Sequence, residues 1–478
     1  MVASAKKSGL DMTEGPIFRK ILVFALPLIL SGLLQCLYNA ADVIVVGQFA
    51  GQGPLAAVGA TGSLIHLVVN LFISLSIGTS ITVAVAIGAK NDERTSRLVH
   101  TSYALALVCS VIVTIVGCLG ARTFLVWMDT PEDILDLAAL YLRIYFGGTI
   151  FSMIYNFGAA VLSAAGDSRR PLYFLTIAGL INVVLNLVFV ICFGMTADGV
   201  ALATVISQAV SAILVTVALA REKGGRRLDI RRIRFHGREL ADILRTGLPV
   251  GIQSVIFSIS NVLIQSAVNG FSTAAVAGNT AATNLDNLVY TAMYAYNTAS
   301  VTAVGQNVGA GRYDRLRRVI LSSMALVTIT GLIVGYGIFL LRDPLLRIYL
   351  PRPEDAEAIQ YAILRMSVTT TTYFLCGWMD TLVGCTRGMG NTLAPMLASV
   401  FGVVGVRLFW IYAIFPQNPT MMSLYLSYPV SWVFTAALQL VLCLLVKRRL
   451  VRAHAAVPQT EIAEKEAAAE AEAVEEKI

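Results

Sequence analysis

The chain has 478 residues, 56% of them hydrophobic and 14% charged, with a mean hydropathy of +0.73. A soluble chain carries about 25% charged residues, so a water-soluble globular protein is excluded. The net charge of +7 is not a nucleic-acid footprint, because the basic residues gather in alternate loops between apolar segments.

Twelve apolar segments reach the roughly 20 residues that a membrane span requires. They start near Ile17, Leu55, Arg97, Ile134, Pro171, Gly199, Leu240, Thr273, Leu316, Ala356, Thr392 and Thr420. The first is too long for a signal peptide, and no small-residue cleavage site follows it. Lys6, Lys7, Arg19 and Lys20 precede it. Lys90 and Arg94 lie between segments two and three, Arg169 and Arg170 between four and five, and a basic run from Arg221 to Arg238 between six and seven. Arg312 and Arg315 follow segment eight, and Lys447, Arg448, Arg449 and Arg452 follow twelve. This parity predicts an all-α integral membrane protein with twelve transmembrane helices and both termini cytoplasmic. Its expected home is the plasma membrane, the inner membrane of a bacterium.

Segment one contains Pro27 and a polar stripe of Ser31, Gln35, Tyr38 and Asp42, spaced as one helix face. Segment four carries Tyr145, Thr149, Ser152 and Asn156, and segment five carries Asn182 and Asn186. Segment seven contains Pro249, then Ser254, Ser258, Asn261 and Gln265. The longest stripe is in segment eight: Asn279, Thr283, Asp286, Tyr290, Tyr294 and Asn297. Segment ten carries Thr369, Tyr373, Cys376 and Asp380. Arg407 lies about 15 residues into segment eleven, roughly 22 Å deep at helical rise. Such stripes cannot face lipid, where each unsatisfied polar group costs several kcal/mol, so they face protein or a water-filled path.

The stripes repeat. Segments one and seven match at an offset of 223 residues, and segments four and ten at 224. "AIGAKNDER" at 86–94 answers "NVGAGRYDR" at 307–315, and Pro27 answers Pro249. Each repeat has an even number of helices, so the two six-helix lobes are parallel and pseudo-symmetric, able to rock about a central cleft. The expected division is a lobe over 1–220, a basic cytoplasmic linker over 221–238, a second lobe over 239–450 and a polar acidic tail over 451–478.

Acids in membrane helices are costly, which makes Asp42, Asp286 and Asp380 candidate ion or substrate groups. Plainer readings stand beside these. Asp42 also fits a helix-end residue near the outer interface. Asp286 or Asp380 also fits a structural ion pair with Arg407. Asn182 and Asn186 are neutral ligands or ordinary interhelical hydrogen-bonders. Pro27 and Pro249 leave carbonyls without donors, as tolerated kinks or as mobile bends. The seven cysteines lie in apolar segments without a CxxC pair and read as small buried hydrophobes, and a metal site is not expected. No GxxxxGK[ST] loop and no hydrolase triad stands out, so the chain does not read as an enzyme and needs no cofactor beyond a coupling ion.

Together "YNAADVIVVGQFAG", "SAAGDSRRPL", "INVVLNLVFV", "ADGVALATVISQ", "VGQNVGAGRYDRLRR" and "VGCTRGMGNTLAPM" resemble the multidrug and toxic compound extrusion (MATE) family over about residues 14–450. The likeness is nearer to the DinF-like than to the NorM branch. It implies a two-lobe antiporter exporting cationic or amphipathic compounds against H+ or Na+. It matches Asp42 to the membrane acid of the first helix, Pro27 to the bending proline, Tyr141 to a fourth-helix tyrosine, Asn182 to a fifth-helix asparagine and Thr204 to a sixth-helix threonine. Asn186 departs from a branch with a carboxylate there. The NorM-type acids fall at Phe257 and Cys376, with Asp380 one turn away. Small-molecule substrates and membrane lipid are the expected partners, nucleic acid is not, and a monomer is expected.

A lipid-linked saccharide flippase of the same superfold is the alternative. Several basic residues are expected in its cleft, where Arg407 alone is plausible from the sequence. A major-facilitator antiporter fits less well, given the matched prolines and the QNxGAG run at 306–311. A channel or receptor does not require two matched polar clefts.

Overall fold

A computed structural model describes residues 9–128 and 130–455. Lys6, Lys7 and the acidic stretch from Pro458 lie outside the described residues, as does the side chain of His66.

The described chain is helical, with no strand among the described residues. Helices α1 (Ile17–Val45), α2 (Gln52–Gly88) and α3 (Asp92–Trp127) are the first three spans. Asn91 starts α3, its side chain accepting the Arg94 N–H at 2.8 Å, and Asp92 and Glu93 complement the helix dipole. The fourth span is broken: α4 (Glu132–Gly147) and α5 (Thr149–Ala164) meet at a 44° bend. Then come α6 (Arg169–Leu187) and α7 (Ala197–Ala220). The second half runs α8 (Gly237–Asn269), α9 (Thr273–Gly309), α10 (Leu316–Leu340), a short α11 (Arg342–Tyr349) and α12 (Ala356–Gly388). It ends with α13 (Leu393–Ser399), α14 (Val406–Phe409) and α15 (Met421–Ala455).

Nine helices among the described residues are long and apolar enough to cross a membrane, and the bent pair makes a tenth. Helices α9 and α12, of 37 and 33 residues, complete the twelve. Their polar stripes dilute the apolar signal that composition alone detects.

The repeat reaches into backbone detail. Span five leaves α-helical geometry for a π-helical turn at Val188–Cys192, and span eleven does so at Trp410–Ile414, 222 positions later at both ends. Span eleven has a further π-turn, Val400–Gly405, between α13 and α14, and another, Val46–Ala50, follows α1. Such turns often mark functional sites.

Helices α1 and α8 each straddle both halves. The first turns of α1 bury Ile17, Ile21, Phe24 and Ala25 against α9, α10 and α12 of the second half. Beyond Pro27 the same helix turns to α6, with Tyr38 against Gly179 and its hydroxyl donating to the Thr176 carbonyl at 3.4 Å. Helix α8 mirrors this: Ile243 and Gly247 pack on α2, whereas Ile264 and Val268 join the second-half core. Each helix passes from one half to the other beyond its proline: on α1, Gly32 and Cys36 still meet Thr291 of α9, and on α8, Gly251 still meets Leu71 of α2. Proline removes the hydrogen bond to the carbonyl four residues earlier. For Pro249 that carbonyl is Arg245's, and the Thr392 hydroxyl donates to it at 3.2 Å.

The halves meet at the end that carries the basic loops. Helices α2 and α9 cross there so closely that a Cβ on Gly88 would stand 2.1 Å from the Gln306 carbonyl oxygen, and one on Gly309 2.0 Å from that of Val85. Gln306 donates to the Ala164 carbonyl at 2.8 Å. Two ion pairs, Arg94–Asp242 at 2.9 Å and Arg97–Glu239 at 2.8 Å, add to this seam. Residues 9–12 form a strap over it. The Leu10 N–H donates to the Gly166 carbonyl at 2.9 Å, the Met12 N–H donates to Gln306 Oε1 at 2.9 Å, and Asn307 donates to the Met12 carbonyl at 3.0 Å. Gly166 has φ +83°, the left-handed region that favours glycine. At the opposite end Gly51, Gly53, Gly59 and Gly62 have nothing within 4 Å of a Cβ position.

A cavity of about 580 Å³ lies under the linker between halves, lined by Arg97, His100, Arg231 and Arg234 among others. Its histidines fasten the linker to α3. The Asp229 N–H donates to His100 Nε2 at 3.1 Å, and His236 Nδ1 lies 3.0 Å from the Thr101 hydroxyl.

Candidate functional site

Three polar groupings are buried in the bundle. In the first half Asp42 (α1), Asn182 and Asn186 (α6) and Thr204 (α7) form one hydrogen-bonded chain. Asn186 Nδ2 donates to Asp42 Oδ1 and also to Asn182 Oδ1, the latter at 3.3 Å. Asn182 Nδ2 reaches Thr204 Oγ1 at 3.4 Å. Asn182 and Asn186 are buried, and Asn186 Oδ1 is a buried acceptor without a partner. Buried polar atoms are normally satisfied, so the orphan acceptor beside the carboxylate has capacity to accept a hydrogen bond or to coordinate a hard cation. Carboxylate, amide and hydroxyl oxygens are the donor set for such an ion. Tyr141 is buried near by and stacks on Tyr145 with ring centroids 6.3 Å apart.

The second half holds a cavity of about 500 Å³. Helix α2 closes one side with Ile73, Ser74 and Ile77. The rest is built by α8, α9, α12, the span-eleven segments and α15. Tyr290, Tyr294, Asp380 and Arg407, all candidates from the sequence, line it, and so does Arg387. Arg407 donates to Asn261 Oδ1 at 3.0 Å and to Ser431 at 3.3 Å, with its guanidinium 4.4 Å over the Tyr428 ring. Arg387 donates to Gln253 Oε1 at 2.8 Å.

Asp286 stands apart, which corrects its expected grouping with Asp380 and Arg407. It is not among the residues lining the cavity. Its partner is Arg365, at 3.1 Å, with Thr369 and Thr370 donating to its two oxygens at 2.9 and 2.7 Å. Arg365 also donates to Asn279 Oδ1 at 2.7 Å, and Asn279 donates to Gln265 at 3.0 Å. Gln265 is therefore a member of this third grouping. It makes no part of the cavity lining, and neither do Gln35, Tyr38 and Asn156. Gln35 is exposed, and Asn156 donates to the Ser152 carbonyl one turn back at 2.8 Å.

Arg365 and Arg387 escape the sequence reading, although a signal exists for both. The stripe Thr369, Tyr373, Cys376, Asp380 extends one turn back to Arg365 and two turns forward to Arg387. The expectation that Arg407 alone is basic in the cleft is corrected accordingly.

Two polar sites in opposite halves of a twelve-helix bundle, with the halves in close contact at the end that carries the basic loops, define a membrane transporter of the alternating-access kind. The chain belongs to the MatE family, whose description covers residues 27–188 and 249–413. It is 28% identical over 399 residues to the probable multidrug resistance protein YoeA of Bacillus subtilis, covering 82% of this chain and 86% of that protein. It is also 28% identical to a probable multidrug resistance protein NorM of Thermotoga maritima, covering 84% and 87%. The fold is similar to that of a MATE crystal structure in complex with MaL6, with a TM-score of 0.87, 21% identity and coverage of 94% of this chain and all of that one.

Proposed function

We propose that the chain is a secondary active antiporter. It exports cationic or amphipathic organic compounds in exchange for H+ or Na+ by alternating access. The observation that carries this reading is the separation of two sites: an acid-amide cluster around Asp42 with an orphan acceptor, and an aromatic cavity in the other half. Coupling belongs to the first. When Asp42 is protonated or a cation lies against its carboxylate, the cluster is neutralised and α1 can reseat about Pro27. When the ion leaves, the charge must again be solvated or hydrogen-bonded. Both termini and the linker lie in the cytoplasm of a cell bounded by the plasma membrane, and one chain is the working unit. Relatives named for multidrug resistance weigh against a lipid-linked saccharide flippase.

The test is efflux from proteoliposomes with pH and sodium gradients imposed separately. One gradient should drive it. Asp42→Asn should stay folded and membrane-inserted while gradient-driven efflux drops to background. Wild-type rates in Asp42→Asn, with normal gradient dependence, would remove Asp42 from the mechanism.

A further inference from the structure

We propose that the second-half cavity accepts planar aromatic compounds bearing an acidic group, carboxylate or phosphate, in preference to cations of the same shape. The proposal rests on the export reading above and narrows its substrate class, from cationic or amphipathic compounds to the amphipathic acids.

Charge is the first support. The cavity is lined by two guanidiniums, Arg387 and Arg407, and one carboxylate, Asp380, which leaves one positive charge in excess. All three are buried, at 3%, 5% and 6% exposure. Asp286, outside the lining, does not offset the excess, because Arg365 holds it. Among the described residues no carboxylate lies within 4.0 Å of Arg387 or Arg407. Their partners are neutral: an amide each from Gln253 and Asn261, the Ser431 hydroxyl and the Tyr428 ring. A buried guanidinium is costly without a counter-charge, and a ligand that brings one is favoured twice, by attraction and by relief of that cost.

Unused hydrogen-bonding capacity is the second support. A guanidinium has five N–H donors in a fork that matches an oxyacid bidentately. Arg387 Nε is a buried donor with no partner, while Asp380 Oδ2 is a buried acceptor with none. Asp380 precedes Arg387 by seven residues on one face of α12, about 10 Å along the axis. The cavity thus keeps donor and acceptor apart, open to different groups of one ligand.

Shape is the third support. Tyr373 and Trp432 lie 4.9 Å apart between ring centroids, and Tyr290 and Tyr294 5.8 Å apart. The rings are tilted by 46° and 37° within the two pairs, so they offer aromatic faces and edges against which a fused ring system can pack. A cationic ring system would find the same walls together with two guanidiniums that repel it, and Asp380 as its only attractive charge.

The experiment compares two dyes built on one xanthene ring, fluorescein as the anion and tetramethylrhodamine ethyl ester as the cation. Binding to the full-length protein in detergent is read by fluorescence anisotropy, and efflux is read from proteoliposomes. Fluorescein should bind about tenfold more tightly or better, the worth of one charge-assisted hydrogen bond. Arg407→Gln should weaken fluorescein about tenfold or more, and Arg407→Lys, which keeps the charge, by less. Asp380→Asn should strengthen fluorescein and weaken the cation. If the arginine variants fail to fold, the wild-type comparison and Asp380→Asn still decide. Tighter binding of the cationic dye by the wild-type protein, or fluorescein affinity unchanged in a folded Arg407→Gln, overturns the proposal. Efflux of the cation with fluorescein refused overturns the anion preference and leaves export standing. Efflux of neither dye under any gradient overturns both.

Discussion

Asp286 and Arg365 show what a charge does when the protein closes around it. The pair is 3.1 Å apart with side chains 2% and 6% exposed, and two threonine hydroxyls complete the carboxylate's shell. Removing one partner of such a pair leaves a buried charge and costs about 3–5 kcal/mol, whereas replacing both by apolar groups is often neutral. Asp286→Asn should therefore lower the thermal midpoint of the purified protein, and Asp286→Leu combined with Arg365→Met should recover most of the loss. If Asp286→Asn instead melts like the wild type and changes dye selectivity, the pair belongs to the transport site. The sequence displays Asp286 and the stripe on which Arg365 lies. It does not display their meeting, because helical periodicity orders residues along one helix and says nothing about which stripe on another helix faces them. Asp42 was easier to place. Its neighbours Asn182, Asn186 and Thr204 came from the family resemblance and from spacing on α6.

Elements behave more legibly than contacts. Span positions, the broken register of α9 and α12 against simple hydropathy, and the repeat of prolines all follow from patterns in the chain. The straddling of α1 and α8 does not, since a polar stripe shows which face avoids lipid but not which half each turn packs against. The crossing of α2 and α9 is set by the absence of side chains at Gly88 and Gly309, which lets two backbones approach as small residues do between membrane helices. Gly88→Val should hold that end apart. A cysteine pair at positions 163 and 302, where the Thr302 hydroxyl reaches the Ser163 carbonyl at 3.4 Å, should cross-link in an otherwise cysteine-free protein. The added Gly88→Val should abolish that cross-link and sharply reduce efflux. Undiminished cross-linking would mean that α2 and α9 pass without the contact.

At the scale of the molecule, the basic loops, the seam and the linker share one end. Positive loops stay on the cytoplasmic side during insertion. A cysteine at position 230, on the exposed Ile230 (65% exposed), should react in intact cells with a membrane-permeant maleimide and resist an impermeant one. Labelling by the impermeant reagent would invert the topology and put the seam on the outer side.

The strap has a consequence for the order in which the protein is made. Met12 leaves the ribosome well before its partners Gln306 and Asn307, which lie 294 and 295 residues further on. Their loop can close only after nine helices have been made, so long-range closure comes late and slowly. Until then Met12, fully buried at the end, has no α9 to cover it. The strap therefore reports on completion: it docks only when the Gly166 turn of one repeat and the end of α9 from the other stand side by side. A chain halted after its first repeat keeps this segment open to proteases, and a finished one hides it.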